Sequence, residues 1–106
     1  DAAVCYRLGV AVDAARALAH FNLGSVLDEL GELEAARDSL RAALRLEPDY
    51  TDAHYNLALV FEKLGKPTQA RLHWRRYLEL DPHSPWAIYA RQRLHARPRR
   101  RSSSQN

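Results

Sequence analysis

The chain has 106 residues, 46% hydrophobic and 27% charged, which excludes a compositionally disordered polymer, and no apolar run approaches the roughly 18 residues of a membrane span. Cys5 is the single cysteine, which excludes an intrachain disulfide framework or a Cys-cluster zinc site and agrees with a reducing, cytoplasmic compartment. The net charge of +3 is unevenly placed: residues 97–106 hold four of the sixteen basic residues and no acid, leaving twelve basic against thirteen acidic over residues 1–96. The folded part is near neutral, and the tail RPRRRSSSQN reads as basic and disordered. The chain opens on Asp1 and contains no Met, as expected of a piece of a longer protein, and no secretory signal is visible.

Residues 17–50 align with 51–84 at an offset of 34 without a gap, and thirteen of the 34 positions are identical, so the chain is read as a repeat. In chain order, Ala2, Tyr6, Gly9 and Val12 fall on Ala36, Leu40, Ala43 and Leu46. Residues 1–16 therefore read as the second helix of a partial repeat, helical over 2–12. In the unit 17–50, Leu23, Val26, Leu27 and Leu30, then Ala36, Leu40, Ala43 and Leu44, fall at three- and four-residue steps. That spacing predicts amphipathic helices over about 18–30 and 34–46. Gly31 suits a helix C-terminus at positive φ, and Pro48 ends the second helix.

The unit 51–84 repeats this plan, with helices expected over about 52–64 and 68–80, Gly65 at the turn, Pro67 in a first turn and Pro82 at the end. Ser84-Pro85 opens a closing helix to about 96. The domain is thus 1–96, with a tail over 97–106.

The 34-residue register and its small residues resemble the tetratricopeptide repeat, a helix-turn-helix unit. Gly24 and Ala58, Ala36 and Ala70, and Ala43 stand where that family's helices cross closely, with Pro48 and Pro82 at the unit ends. Leu23, Leu27, Leu40, Leu57, Phe61 and Trp74 are expected to fill the space between. The resemblance implies an all-α, right-handed superhelical solenoid of a half repeat, two full repeats and a capping helix. Tyr77, in place of Ala43 and Gly9, and Gln92, in place of Gly24 and Ala58, depart from the pattern and fit a more polar end together with Arg91 and Arg93. More loosely, residues 70–87 are similar to the closing repeat of bacterial arrays, some of which are fused to transcription regulators.

No residue set specifies an enzyme. His20 and His54 share one repeat position without a carboxylate or His at i+3 or i+4, so they read as packing residues and no metal site is expected. His73, His83 and His95 are scattered, Cys5 has Arg7 nearby but no catalytic partner, and the glycines make no phosphate loop. No cofactor is implied.

The resemblance implies instead a concave groove lined by the first helices of successive units. Carried over by position, its residues are Leu18, Phe21, Asn22, Ser25, Asp28 and Glu29, then Asp52, Tyr55, Asn56, Leu59, Glu62 and Lys63, then Trp86, Tyr89 and Arg93. Asn22 and Asn56 recur where an amide can donate to and accept from an extended peptide. Phe21 and Tyr55 replace the Lys that the family's chaperone-tail clamps use there, which disfavours capture of a C-terminal carboxylate and favours aromatic contacts. The expected partner is a protein or peptide. The alternative is self-association through the N-terminal half repeat, whose apolar surface around Val4, Leu8 and Val12 wants a cover. The Arg71, Arg75, Arg76 face and the Arg91, Arg93, Arg97, Arg99, Arg100, Arg101 run read as solvated, with nucleic acid at most a weak accessory contact of the tail.

Overall fold

The computed structural model describes residues 2–95, with side chains from residue 12 onward. The tail over 97–106 and the side chains of Val4, Cys5, Arg7 and Leu8 lie outside these residues. Five helices follow in order: α1 (Ala2–Glu29), α2 (Leu33–Leu46), α3 (Thr51–Lys63), α4 (Pro67–Leu80) and α5 (Pro85–His95), with no strand among the described residues. Each packs on its neighbour in sequence, α1 on α2, α2 on α3, α3 on α4 and α4 on α5, the one-dimensional stacking of a helical repeat.

The turns at 31 and 65 form for a local reason. Gly31 and Gly65 have φ of 81° and 75°, a region costly for any residue with a Cβ. At the first turn Glu32 N–H donates to Leu27 O (2.8 Å) and Gly31 N–H to Asp28 O (3.0 Å). At the second, Lys66 N–H donates to Phe61 O (2.8 Å) and Gly65 N–H to Glu62 O (3.0 Å). Both are Schellman caps, which satisfy carbonyls left open at a helix end. Pro67 occupies the first turn of α4, and the Ser84 hydroxyl accepts the Ala87 N–H (3.2 Å) to start α5.

The N-terminus differs from the expectation of two helices over 2–12 and 18–30: α1 runs unbroken from Ala2 to Glu29. Ala14 stands at the register position of Pro48 and Pro82, and Asp13 to Ala17 contain neither Gly nor Pro. Nothing there removes a helical hydrogen bond.

Small residues bring the helices together. Ala36, Ala43, Ala53, Ala58, Ala70, Ala87 and Ala90 are fully buried, with Leu40, Leu57, Val60 and Trp74 the largest side chains among them. Gly24 marks a close crossing, since a Cβ there would lie 2.7 Å from Leu40 Cγ. Leu27 packs against the core as expected. Leu23 does not, being half exposed, whereas its counterpart Leu57 is fully buried in α3, which packs on both α2 and α4.

Candidate interaction groove

The first helices of successive units are tied to one another by polar side chains. Between α1 and α3, Asn56 Nδ2 donates to Ser25 Oγ (3.0 Å) and Lys63 Nζ to Asp28 Oδ1 (2.7 Å). Between α3 and α5, Arg93 Nε donates to both Glu62 oxygens (3.1 and 3.0 Å), and Glu62 Oε2 also accepts from Trp74 Nε1 (2.9 Å). These contacts hold α1, α3 and α5 side by side. No buried side-chain nitrogen or oxygen among the described residues lacks a partner.

An open concavity of about 360 Å³ lies along this layer, lined by Phe21, Asp52, Tyr55, Asn56, Tyr77 and Trp86. Its floor is aromatic. Tyr55 meets Trp74 edge-on (5.0 Å between centroids) and Tyr77 likewise (5.2 Å), while Tyr89 lies 6.4 Å from Tyr55 and 5.8 Å from Trp74. Such edge-to-face pairs fix the rings more firmly than area burial alone. Phe21 stacks on Tyr50 at 5.1 Å. Burial, followed by the neighbouring Tyr89 and Tyr77, holds the Tyr55 phenol above its ordinary range. Burial also raises Tyr77, with smaller raising contributions from Asp81 and Asp52. Both phenols are therefore neutral donors near neutral pH. Asp52 is the acidic group of the concavity and has no cationic side chain within 4.0 Å among the described residues.

Of the groove residues expected from sequence, Phe21, Asp52, Tyr55, Asn56 and Trp86 line this one concavity. Tyr89 sits beside it, 41% exposed, and Asn22 is exposed on α1. Ser25 is engaged by Asn56, Lys63 and Asp28 by each other, and Glu62 and Arg93 by each other. Leu59 is partly buried against the core, Leu18 is half exposed and Glu29 exposed. Tyr77 is the residue that sequence reasoning assigned differently. It is no polar surface residue but 2% exposed, with its hydroxyl donating to Asp81 Oδ2 (3.2 Å) and bonded to Ser84 Oγ (2.8 Å). The signal was its bulk at a position that is Ala43 in the preceding unit: the larger ring reaches the groove floor under α5.

Part of the cationic surface is occupied. Arg76 pairs with Asp49 and Glu79, and Arg91 donates to the Pro82 carbonyl. Arg97, Arg99, Arg100 and Arg101 lie outside the described residues. The histidines do not read as scattered in space: His54 and His73, 19 residues apart, touch. Pro48 O can only accept, so His54 Nε2 donates to it (2.8 Å), and the bare His54 Nδ1 accepts from His73 Nδ1 (3.0 Å). Burial, then His54 and Arg41, lowers His73 to about 4, and burial lowers His54. The pair is neutral packing between α3 and α4, on a different face from the groove. No group of three or more His, Cys, Asp or Glu able to hold a metal occurs among the described residues, and no described helix is long and apolar enough to cross a membrane.

No curated protein matches the chain in sequence. Two solved structures, one titled as MamA and one as MamA protein, are similar to it at 32% identity with a TM-score of 0.70 in each case, over 80% of this chain. The chain spans 48% and 45% of those two proteins, about half their length. The sequence profile of the tetratricopeptide repeat matches residues 1–51 and, overlapping, residues 21–85. With its 34-residue register, paired helices and glycine turns, the chain belongs to the tetratricopeptide repeat family, a protein-interaction scaffold.

Proposed function

We propose that this chain is a scaffold or adaptor whose α1, α3, α5 groove holds an extended peptide or protein segment. The observation that carries this reading is the concavity formed jointly by Phe21, Asp52, Tyr55, Asn56, Tyr77 and Trp86, an aromatic floor with one unpaired carboxylate and no lysine. Its chemistry suits an apolar side chain seated among the rings, with a basic neighbour facing Asp52. Asn22 is free to meet the ligand backbone. Asn56 retains its carbonyl oxygen for the same purpose, because its amide nitrogen is already committed to Ser25. Capture of a free C-terminal carboxylate is disfavoured, since Asp52 would repel it.

A library of unstructured peptides carrying an aromatic or aliphatic anchor, screened by fluorescence anisotropy, tests the reading. Trp86→Ala, at a 59% exposed position, is expected to weaken binding by about 2 kcal/mol. Asn22→Ala should cost about 0.5 to 1.5 kcal/mol. Arg75→Ala on the outer face should leave affinity unchanged. Loss of binding on the outer-face change, with the groove changes silent, would place the site elsewhere.

A further inference from the structure

Charge is segregated among the helices, although residues 1–96 are near neutral. The second helices α2 and α4 carry six arginines against Glu34, Asp38 and Glu79, whereas α1 and α3 carry five acids against three bases. The six arginines are unequally engaged. Arg37 and Arg76 have acidic partners, but Arg41, Arg45, Arg71 and Arg75 have none within 4.0 Å among the described residues.

Arg41 and Arg45, one turn apart on α2, line a concavity of about 320 Å³ together with Leu44, Leu57 of α3 and His73 of α4. The Arg41 guanidinium lies over the Phe61 ring, 5.7 Å from its centroid, which holds it in place. His73 also lines an adjoining concavity of about 300 Å³ with His54, Leu72, Arg75, Arg76 and Glu79. Its Nδ1 carries the hydrogen donated to His54, so in the neutral ring Nε2 is bare. No buried side-chain nitrogen among the described residues lacks a partner. His73 Nε2 has none, so it reaches solvent.

We propose that the cleft between Arg41, Arg45 and His73 is a second docking site, for an acidic segment of a protein partner whose carboxylates engage the two guanidiniums and His73 Nε2. Unpaired guanidiniums one turn apart suit carboxylates, to which they donate charge-assisted hydrogen bonds. Leu44, and Leu72 at 59% exposure, add apolar contact that a protein segment can use. The Trp, Tyr and Phe residues of α2 and α4 are Trp74 and Tyr77 alone, 0% and 2% exposed, so nucleic-acid bases would find no ring to stack on. None of Arg41, Leu44, Arg45, Leu57 and His73 lines the groove of α1, α3 and α5, so the site stands independently of the groove reading.

A carboxylate can only accept, so His73 must be protonated to donate from Nε2, while its Nδ1–H stays on His54. Binding therefore takes up one proton. In the free protein, burial, then His54 and Arg41, lower His73 to about 4. Arg45, Arg75 and Arg76 are the other cations lining its two concavities, Glu79 is the acid there, and Phe61 stacks on the ring from α3. A bound carboxylate raises His73, so the complex holds more protons than the free chain. Affinity consequently rises as pH falls, by at most about tenfold per pH unit.

Fluorescence anisotropy with a labelled oligoglutamate peptide containing interspersed leucines, beside a single-stranded DNA oligonucleotide of equal charge, tests the site. The peptide should bind the parent chain more tightly than the DNA, and more tightly at about pH 5.5 than at about pH 7.5, where glutamates stay ionised. Arg41→Gln with Arg45→Gln should weaken it about tenfold or more. Arg16→Gln with Lys66→Gln removes the same charge outside the cleft and should have little effect, as should Trp86→Ala in the groove. His73→Asn should retain binding at the higher pH and lose the pH dependence. Far-ultraviolet circular dichroism checks that each variant is folded. Absent peptide binding, tighter binding of the DNA, or equal weakening by the Arg16 and Lys66 changes would overturn the proposal. So would loss of the peptide with Trp86→Ala, which would seat it in the groove, or a pH dependence that survives His73→Asn.

Discussion

The crossing of α1 and α2 at Gly24 offers a stability test whose sign depends on the geometry. A methyl group at Gly24 would stand 2.7 Å from Leu40 Cγ, 3.0 Å from Leu40 Cδ2 and 3.3 Å from Ala36 O. Leu40 is fully buried and Cγ is its branch point, so relief needs the whole side chain or α2 itself to retreat by about 0.7 Å, to ordinary contact near 3.4 Å. Overpacking of that kind costs about 1 to 3 kcal/mol. Replacing Gly by Ala in a helix interior returns about 1 kcal/mol. Gly24→Ala is therefore expected to lower stability by as much as about 2 kcal/mol, against a gain of about 1 kcal/mol at an unconstrained helical glycine. Leu40→Ala alone should cost about 2 to 5 kcal/mol, and less in the Gly24→Ala background, where removing the Leu40 branch also removes the clash. Urea unfolding followed by far-ultraviolet circular dichroism, with m-values compared, measures the cycle. If Gly24→Ala raises the midpoint and shows no coupling to Leu40→Ala, the crossing has slack and the argument from close approach fails.

Two further tests address the turns and the histidine pair. Nothing lies within 4 Å of a Cβ built at Gly31 or Gly65, so Gly31→Ala and Gly65→Ala should each cost about 1 to 2 kcal/mol from the left-handed backbone alone. Thermal unfolding should show similar losses for both, and a neutral result would mean that the Schellman turns can relax. His73 is lowered from 6.5 to about 4, so the unfolded chain binds the extra proton between these values. Its contribution to stability is present above pH 6.5 and is lost as pH falls toward 4. His73→Asn, which keeps a donor for His54 Nδ1, should flatten that part of the pH–stability profile relative to the parent, and an unchanged slope would show that His73 titrates normally.

What could be read from the sequence was local. The three- and four-residue spacing of Leu and Ala, Gly31 and Gly65 after each first helix, and Pro48 and Pro82 after each second one place α2 to α5 to within a residue or two, because each signal acts on its own turn of backbone. The gap-free register between 17–50 and 51–84 then fixed the repeat and put Phe21, Asp52, Tyr55, Asn56 and Trp86 on one face. The continuity of α1 was equally local, written in Ala14 and the absence of any breaker over residues 13–17. The register, extended backward, pointed instead to a separate helix. Contacts between residues far apart in sequence were decided only by tertiary structure. Asn56 meets Ser25, 31 residues away, and His73 meets His54, because the angle at which one helix crosses the next selects which side chains face each other. Identical residues also diverge for this reason: Leu23 and Leu57 share a register position and a local sequence, yet one is half exposed and the other fully buried. Burial belongs to the neighbouring helices: α3 packs on both α2 and α4, whereas α1 packs chiefly on α2.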